Sequence, residues 1–304
     1  GGLGKTATHA IVHARLLVGK RDYGIAAFIV PLRDANHQPL PGIFVGDIGP
    51  KFGYTSQDNG YLGFQSVRIP RENMLMRFIR VDADGTVTRA PREFSKAGYL
   101  TMILIRARLV RDAYRALAKA CTIAIRYGCV RTQFAAKEGQ EELQILDYPV
   151  QQSRLFPLLA TAYAFLFTGQ YMQSLHNRLA ENLKHQNANL LPEVHATSAG
   201  LKALTTWITS AGIEEARKCC GGHGYHRLAG FYTLYVDYLP TCTYEGDNVI
   251  LSLQTARYIV KQTALAQKGQ PMIGSLEYLT EDSLSAPLTL EKVTNILDPR
   301  ILRL

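Results

Sequence analysis

The apolar residues of this chain change their period near Pro91, and that change limits the possible folds more than any other feature of the sequence. Beyond it, Ile103, Ala107, Val110, Tyr114, Leu117, Cys121 and Ala124 recur at alternating steps of four and three, as one face of a long helix requires. A second helix fits Leu155, Leu158, Ala162, Phe165, Met172, Leu175 and Leu179. A third is expected from Val194 to about Lys218, with Pro192 just before its start and Leu201, Leu204, Ile208 and Ala211 along one side. Asp247 or Asn248 can cap a fourth, in which Ile250, Leu253, Arg257 and Val260 follow at helical spacing. Helices of this kind, joined by short connections, bury their apolar stripes only against one another, so an antiparallel bundle is expected.

Before the change the texture is that of strands. Ala10 to Val18, a polar break at Gly19-Lys20-Arg21-Asp22, and Ile25 to Val30 closed by Pro31 read as a hairpin. Ile43-Phe44-Val45 and Tyr61 to Ile69 are further short strands, and Asp58-Asn59-Gly60 predicts a tight turn. The first quarter is therefore mostly β. From about Gln267 to Ala286 the chain is richer in Gly, Ser and Pro and reads as a linker before another helical segment.

With 304 residues, 47% of them hydrophobic and 19% charged, the chain has enough apolar material for a core and two domains are plausible. No run approaches the roughly eighteen uninterrupted apolar residues that span a bilayer, so a chain without a membrane span is expected. Five cysteines, an odd number that includes the vicinal pair Cys219-Cys220, are a poor basis for a disulfide framework and point to a reducing compartment. The formal charge of +9 suits a polyanionic partner, a phosphate-bearing small molecule among them. Its Lys and Arg residues are scattered and no nucleic-acid motif is present, so a solvated basic surface is favoured over a nucleic-acid partner. Gly1 at the start and Ile301 to Leu304 directly after a helix-like stretch suggest a piece of a longer chain.

Four motifs have both a chemical and a structural reading. Gly1-Gly2-Leu3-Gly4-Lys5-Thr6 ends like a P-loop, but the first glycine of that signature would lie before Gly1, and a glycine turn beside a strand is the preferred reading. Cys219-Cys220-Gly221-Gly222-His223-Gly224-Tyr225-His226 offers two sulfurs and two imidazoles; adjacent thiolates do not converge easily on one ion, so no metal is expected and a helix-ending glycine turn is preferred. Its glycines can also let a pyrophosphate approach the backbone. Arg126 to Phe134 places two arginines near a helix end, where they oppose the helix dipole or fork onto a phosphate. In Thr243-Tyr244-Glu245-Gly246-Asp247-Asn248 a carboxylate stands between an aromatic residue and a glycine, just before a helix. Exposed, Glu245 serves the helix dipole; walled by Tyr244 and closed from water by a ligand, it is a base.

Taken in order, these pieces resemble the acyl-CoA oxidases, flavoenzymes of the acyl-CoA dehydrogenase superfamily. The resemblance covers nearly the whole chain. It rests on Gly1 to Lys5, Asp47-Ile48-Gly49-Pro50-Lys51-Phe52-Gly53 with Asp58-Asn59-Gly60 and Arg68-Ile69-Pro70-Arg71, then Arg126 to Phe134, Cys220 to Tyr225, and Pro240 to Asn248 running on to Gln254-Thr255-Ala256-Arg257. It implies a multi-domain α and β fold: residues 1–80 as the later part of a middle antiparallel β domain, 81–91 as a linker, 92–264 as the helical bundle, and 265–304 as a linker and the start of a second carboxy-terminal helical domain. It also implies that the family's amino-terminal domain, with one wall of the acyl pocket, lies outside this chain.

By the same resemblance Glu245 matches the family's catalytic base, flanked by Tyr244 and Gly246 at the substrate, and its backbone amide shares the thioester oxygen with a flavin hydroxyl. FAD contacts fall to Gly1, to Arg131, Gln133 and Phe134, and to Gly221 and Gly222, the last two sets reaching the flavin of a neighbouring subunit in a homodimer. The implied activity is oxidation of a fatty acyl-CoA to its trans-2-enoyl-CoA with dioxygen as electron acceptor, in the peroxisome. An acyl-CoA dehydrogenase using an electron-transfer flavoprotein, and a non-catalytic module that pairs with intact subunits, are the rival readings.

Overall fold

A computed structural model of the chain describes residues 2–91, 100–270, 272 and 274–280. Gly1 and the segment 281–304 therefore lie outside the described residues, as do residues 92–99. Strands β1 (His9–Val18) and β2 (Arg21–Pro31) form an antiparallel hairpin running from His9 opposite Pro31 to Val18 opposite Arg21, with a shift of register between Arg15 and Leu17. Gly19, at φ 60°, takes the left-handed turn that a two-residue connection demands. β3 (Ile43–Asp47) pairs antiparallel with β4 (Gly60–Phe64), and β5 (Ile79–Val81) with β6 (Val87–Arg89). Val30, Leu32 and Ile43 are buried between the first two hairpins, and Leu16, Ala26 and Met74 form a second small core.

Asp58-Asn59-Gly60 is not the tight turn expected from its sequence. It closes a longer loop, residues 48–59, that leaves β3 and returns to β4. Tertiary contacts explain the detour. The Tyr54 N–H donates to Asp237 Oδ1 at 2.5 Å, and Gly53 lies so close to Val236 that a side chain there would collide with it. The loop is thus drawn out of its hairpin to join the β part to the helices.

The helices are α1 (Leu100–Val130), α2 (Pro149–Lys184), α3 (Leu191–Cys219), the short α4 (Gly221–Tyr225) and α5 (Phe231–Tyr238), and α6 (Asn248–Ala266). Strands β7 (Thr132–Ala135) and β8 (Glu142–Gln144) pair in the connection between α1 and α2. Packing of α1 against α2 and α3 forms the bundle core, and the stripes expected on α1 and α2 face it: Ile103, Ala107 and Val110 meet Met172, Leu175 and Leu179, while Ala113, Leu117 and Cys121 meet Ala162 and Phe165.

On α3 and α6 most of the stripe read from the sequence faces outward instead, although Leu201 of α3 is half-buried against the bundle core. Leu204 and Ile208 of α3, and Ile250, Leu253 and Val260 of α6, are exposed. The buried face of α3 carries Ser198, Lys202, Thr205, Thr206 and Thr209 beside Ala199, Ala203 and Ile213. Both faces of this helix hold apolar residues, so periodicity alone could not choose between them. What decides is that most of the polar residues on the inner face find hydrogen-bond partners within the bundle, which offsets the cost of taking them out of water.

Candidate active site

The segment between α5 and α6 begins with a single tight helical turn, Leu239–Cys242, after which the Thr243 and Tyr244 N–H groups both donate to the Pro240 carbonyl at 2.9 Å. Two successive residues then enter the left-handed region, Glu245 at φ 57° and Gly246 at φ 108°. Gly246 has no substitute there, because a side-chain carbon would stand 2.6 Å from Leu251 Cδ2. Asp247 caps α6, its Oδ1 accepting the Val249 N–H at 2.9 Å.

Beneath this turn lie two buried cations. Arg106 of α1 donates from Nε to the Glu245 carbonyl at 2.9 Å. Lys202 of α3, with 0% of its surface exposed, donates from Nζ to the Gly246 carbonyl at 2.7 Å and to Asn248 Oδ1 at 2.9 Å. Asn248 is itself buried and donates to the Ala203 carbonyl and to Thr206 Oγ1. Burial lowers the pKa of Arg106, opposed by the charge of Glu245. Burial likewise lowers that of Lys202 to about 8, opposed first by Cys242 and reinforced by Arg106.

With the carbonyls of Glu245 and Gly246 turned inward, the acidic side chain is left at the surface of the bundle but not in open solvent. Glu245 is half-buried, and its Oε2 is shielded without a hydrogen-bond partner among the described residues. Its backbone N–H donates to no described acceptor either. The rings of Tyr54 and Tyr244 stack beside it, centroids 6.5 Å apart and planes 20° from parallel, and burial raises the Tyr244 hydroxyl pKa to about 12. A carboxylate with an unshared buried oxygen, next to a free amide donor and an aromatic wall, is the equipment of a base that acts beside a developing negative charge.

The residues expected to hold a cofactor gather elsewhere. Arg131, Gln133 and Phe134 follow the end of α1; all three are exposed, Phe134 at φ 59°, and Arg131 has no acidic partner among the described residues. Gly221 and Gly222 open α4, and a bond of 3.0 Å between Tyr127 Oη and His223 Nδ1 ties that turn to the same end of α1. Nothing lies within 4 Å of the place a side-chain carbon would occupy at Gly221 or Gly222, so the backbone there is open to a ligand. An exposed guanidinium beside an unobstructed glycine backbone fits a phosphate-bearing group. At 1.5 Å per residue, this end of α1 stands about 36 Å along the helix from Arg106.

Lys5, by contrast, is paired with Asp58 at 3.2 Å and Asp47 at 3.5 Å, a structural tie between the first turn and the β3–β4 loop. Cys219 and Cys220 are packed into the bundle core with Phe231 and Ile213. Two surface depressions, of about 870 and 530 Å³, run along α5, and Glu245 lines neither.

Arg106, Lys202, Asn248 and Tyr54 did not emerge from the sequence as site residues. A signal for Lys202 was present: it is the one Lys, Arg, Asp or Glu between Val194 and Ile213. No comparable signal marks Tyr54, which is brought to the site by tertiary contacts, its N–H bond to Asp237 and the close fit of Gly53 against Val236.

The fold and site thus combine small antiparallel sheets leading into a helical bundle with a carboxylate on a left-handed turn at the start of the last long helix among the described residues. Residues 99–260 match the family described as acyl-CoA oxidase, C-alpha1 domain, and the chain belongs to the acyl-CoA oxidase family. It is similar to peroxisomal acyl-coenzyme A oxidase 1 of Homo sapiens, with 51% identity over 282 residues that cover 92% of this chain and 42% of that protein. Acyl-CoA oxidase 1 of Arabidopsis thaliana shares its fold at a TM-score of 0.92 and 47% identity, over 99% of this chain and 47% of that one. Acyl-CoA oxidase-2 of Caenorhabditis elegans, solved bound with FAD, ascaroside-CoA and ATP, superposes at 0.90 with 41% identity, over 97% of this chain and 44% of that one. The chain thus spans less than half the length of the relatives it matches.

Proposed function

We propose that this chain is the catalytic-base-bearing part of an FAD-dependent acyl-CoA oxidase of the peroxisome, which converts a fatty acyl-CoA to the trans-2-enoyl-CoA. The observation that carries the reading is the shielded, unpartnered Oε2 of Glu245 on its left-handed turn, with the Tyr54 and Tyr244 rings alongside. Glu245 takes the α-proton of the thioester, and its own free N–H donates to the thioester oxygen as negative charge builds there. Tyr244 and Gly246 flank the reacting carbons, and the aromatic wall keeps water from the carboxylate. Bound FAD supplies the acceptor for the β-hydride, and dioxygen takes the two electrons onward to give hydrogen peroxide.

Arg131, Gln133 and Phe134, with Gly221 and Gly222, hold the phosphate-bearing part of the cofactor. Because they stand about 36 Å along α1 from the base, a single site uses the base of one copy and the far end of another, which is the reason to propose a homodimer. Peroxisomal location follows the naming of the relatives. The divisions 1–80, 81–91, 92–264 and 265–304 are proposed as the domain boundaries.

The test is Glu245→Gln in the complete, flavin-loaded enzyme. The amide is nearly isosteric and cannot take the proton, so flavin content is expected to persist while flavin reduction by acyl-CoA falls by at least about 10³-fold. Reduction at a near-normal rate would remove Glu245 from the role. Peroxide formed on adding acyl-CoA in air identifies an oxidase; reduction by substrate without reaction toward air would identify a dehydrogenase instead.

A further inference from the structure

We propose that Lys202 is a positioning residue for this reaction: by gripping the Gly246 carbonyl from inside the bundle it sets the direction in which the Glu245 side chain leaves its turn. The inference rests on the reading of Glu245 as the base. Glycine has the widest conformational freedom of any residue, and Gly246 sits at φ 108° immediately after the acid. Left to itself this link would let the Glu245–Gly246 peptide plane swing. The Glu245 carbonyl is held by Arg106 at 2.9 Å and the Gly246 carbonyl by Lys202 at 2.7 Å, so the planes on both sides of Gly246 are fixed. The second bond of Lys202, to Asn248 Oδ1 at 2.9 Å, ties the same ammonium to the first turn of α6.

Stability alone does not account for a lysine at this place. Its side chain is fully buried, and among the described residues it has no carboxylate within ion-pairing distance; its two acceptors are a backbone carbonyl and a side-chain amide. A buried cation satisfied only by neutral oxygens is costly compared with an apolar side chain of the same length. What the ammonium supplies and an apolar residue would not is a fixed direction for two acceptors on either side of Asp247.

The experiment compares Lys202→Met and Lys202→Gln with the unsubstituted and Glu245→Gln proteins, all flavin-loaded, by stopped-flow flavin reduction with acyl-CoA. Lys202→Met, which keeps the length and removes the donors, is expected to slow reduction by about 10- to 100-fold while the acyl-CoA dissociation constant moves by less than about threefold, since misplacing a reacting group costs rate rather than binding. Lys202→Gln retains an N–H donor and is expected to lose about three- to tenfold in rate at unchanged binding. Rates for both variants within error of the unsubstituted protein would overturn the proposal, as would equal losses in rate and binding for both. Should Lys202→Met not accumulate as folded protein, Lys202→Gln decides alone: a slower rate at unchanged binding supports positioning, and an unchanged rate assigns the lysine to folding. If instead Glu245→Gln in the complete enzyme is reduced normally, the base assignment itself fails and this inference falls with it.

Discussion

Glu245 shows how much a few backbone angles control. A non-glycine residue with positive φ is uncommon, because its Cβ crowds the following carbonyl, and the surrounding structure has to hold it there. Here the holding groups are buried cations on two different helices, and one of them gives a measurable signature. Burial brings the Lys202 pKa from 10.5 down to about 8. Between those values the unfolded chain keeps the proton and the folded chain does not, so this group makes stability rise with pH across that window and fall again as pH drops through about 8. Cys121 and Cys220, whose folded pKa values burial raises from 9.0 to about 11, act in the opposite sense above pH 9, and Tyr244, raised to about 12, does so above pH 10, which leaves pH 8 to 9 as the range to examine. Denaturant midpoints measured across it are expected to climb less steeply in Lys202→Met than in the unsubstituted protein. Equal slopes would show that Lys202 does not titrate there.

At the scale of elements, α3 is the informative helix. Its inner face mixes Ala199, Ala203 and Ile213 with Lys202, Thr205, Thr206 and Thr209, and its outer face shows Leu204 and Ile208 to solvent. Ile213→Ala, at a site with 0% exposure inside the cluster of Leu155, Ala216 and Phe231, is expected to cost about 2–4 kcal/mol in urea unfolding. A loss below about 1 kcal/mol would mean that the site collapses around the missing atoms or that the packing described is wrong. The contrast with α1 and α2 explains what was legible beforehand. On α1 and α2 the stripe read from the sequence is the inner one, so Ile103, Val110, Met172 and Leu179 announced their burial although α2 also shows Phe156, Tyr163 and Phe167 to solvent. On α3 and α6, by contrast, Leu204, Ile208, Ile250, Leu253 and Val260 form an outer stripe.

For the whole molecule, the junction between the β part and the bundle brings Tyr54 to Tyr244. It is narrow: the bond from Tyr54 N–H to Asp237, and the close fit of Gly53 against Val236. Asp237→Ala is expected to leave the bundle folded, with a stability change near 1 kcal/mol, but to free the 48–59 loop and open the aromatic wall beside Glu245. Limited proteolysis reads this as faster cleavage within residues 48–59, and stopped-flow measurement as slower flavin reduction. Unchanged cleavage would show that Gly53 and its neighbours hold the loop without the carboxylate.

The sequence by itself determined the order of the first four strands and the four long helices, the packed faces of the first two of those helices, and the position of the acidic residue at the start of the last one; β5 to β8, α4 and α5 did not emerge from it. These follow from local propensity, capping and helical periodicity, which neighbouring residues encode. Only the tertiary structure decided which face of α3 is buried, that Asp58-Asn59-Gly60 ends a long loop, and that Arg106, Lys202, Asn248 and Tyr54 meet at Glu245. Each of those depends on a partner more than forty residues away, and a buried cation or an open loop is stable only where such a partner completes it.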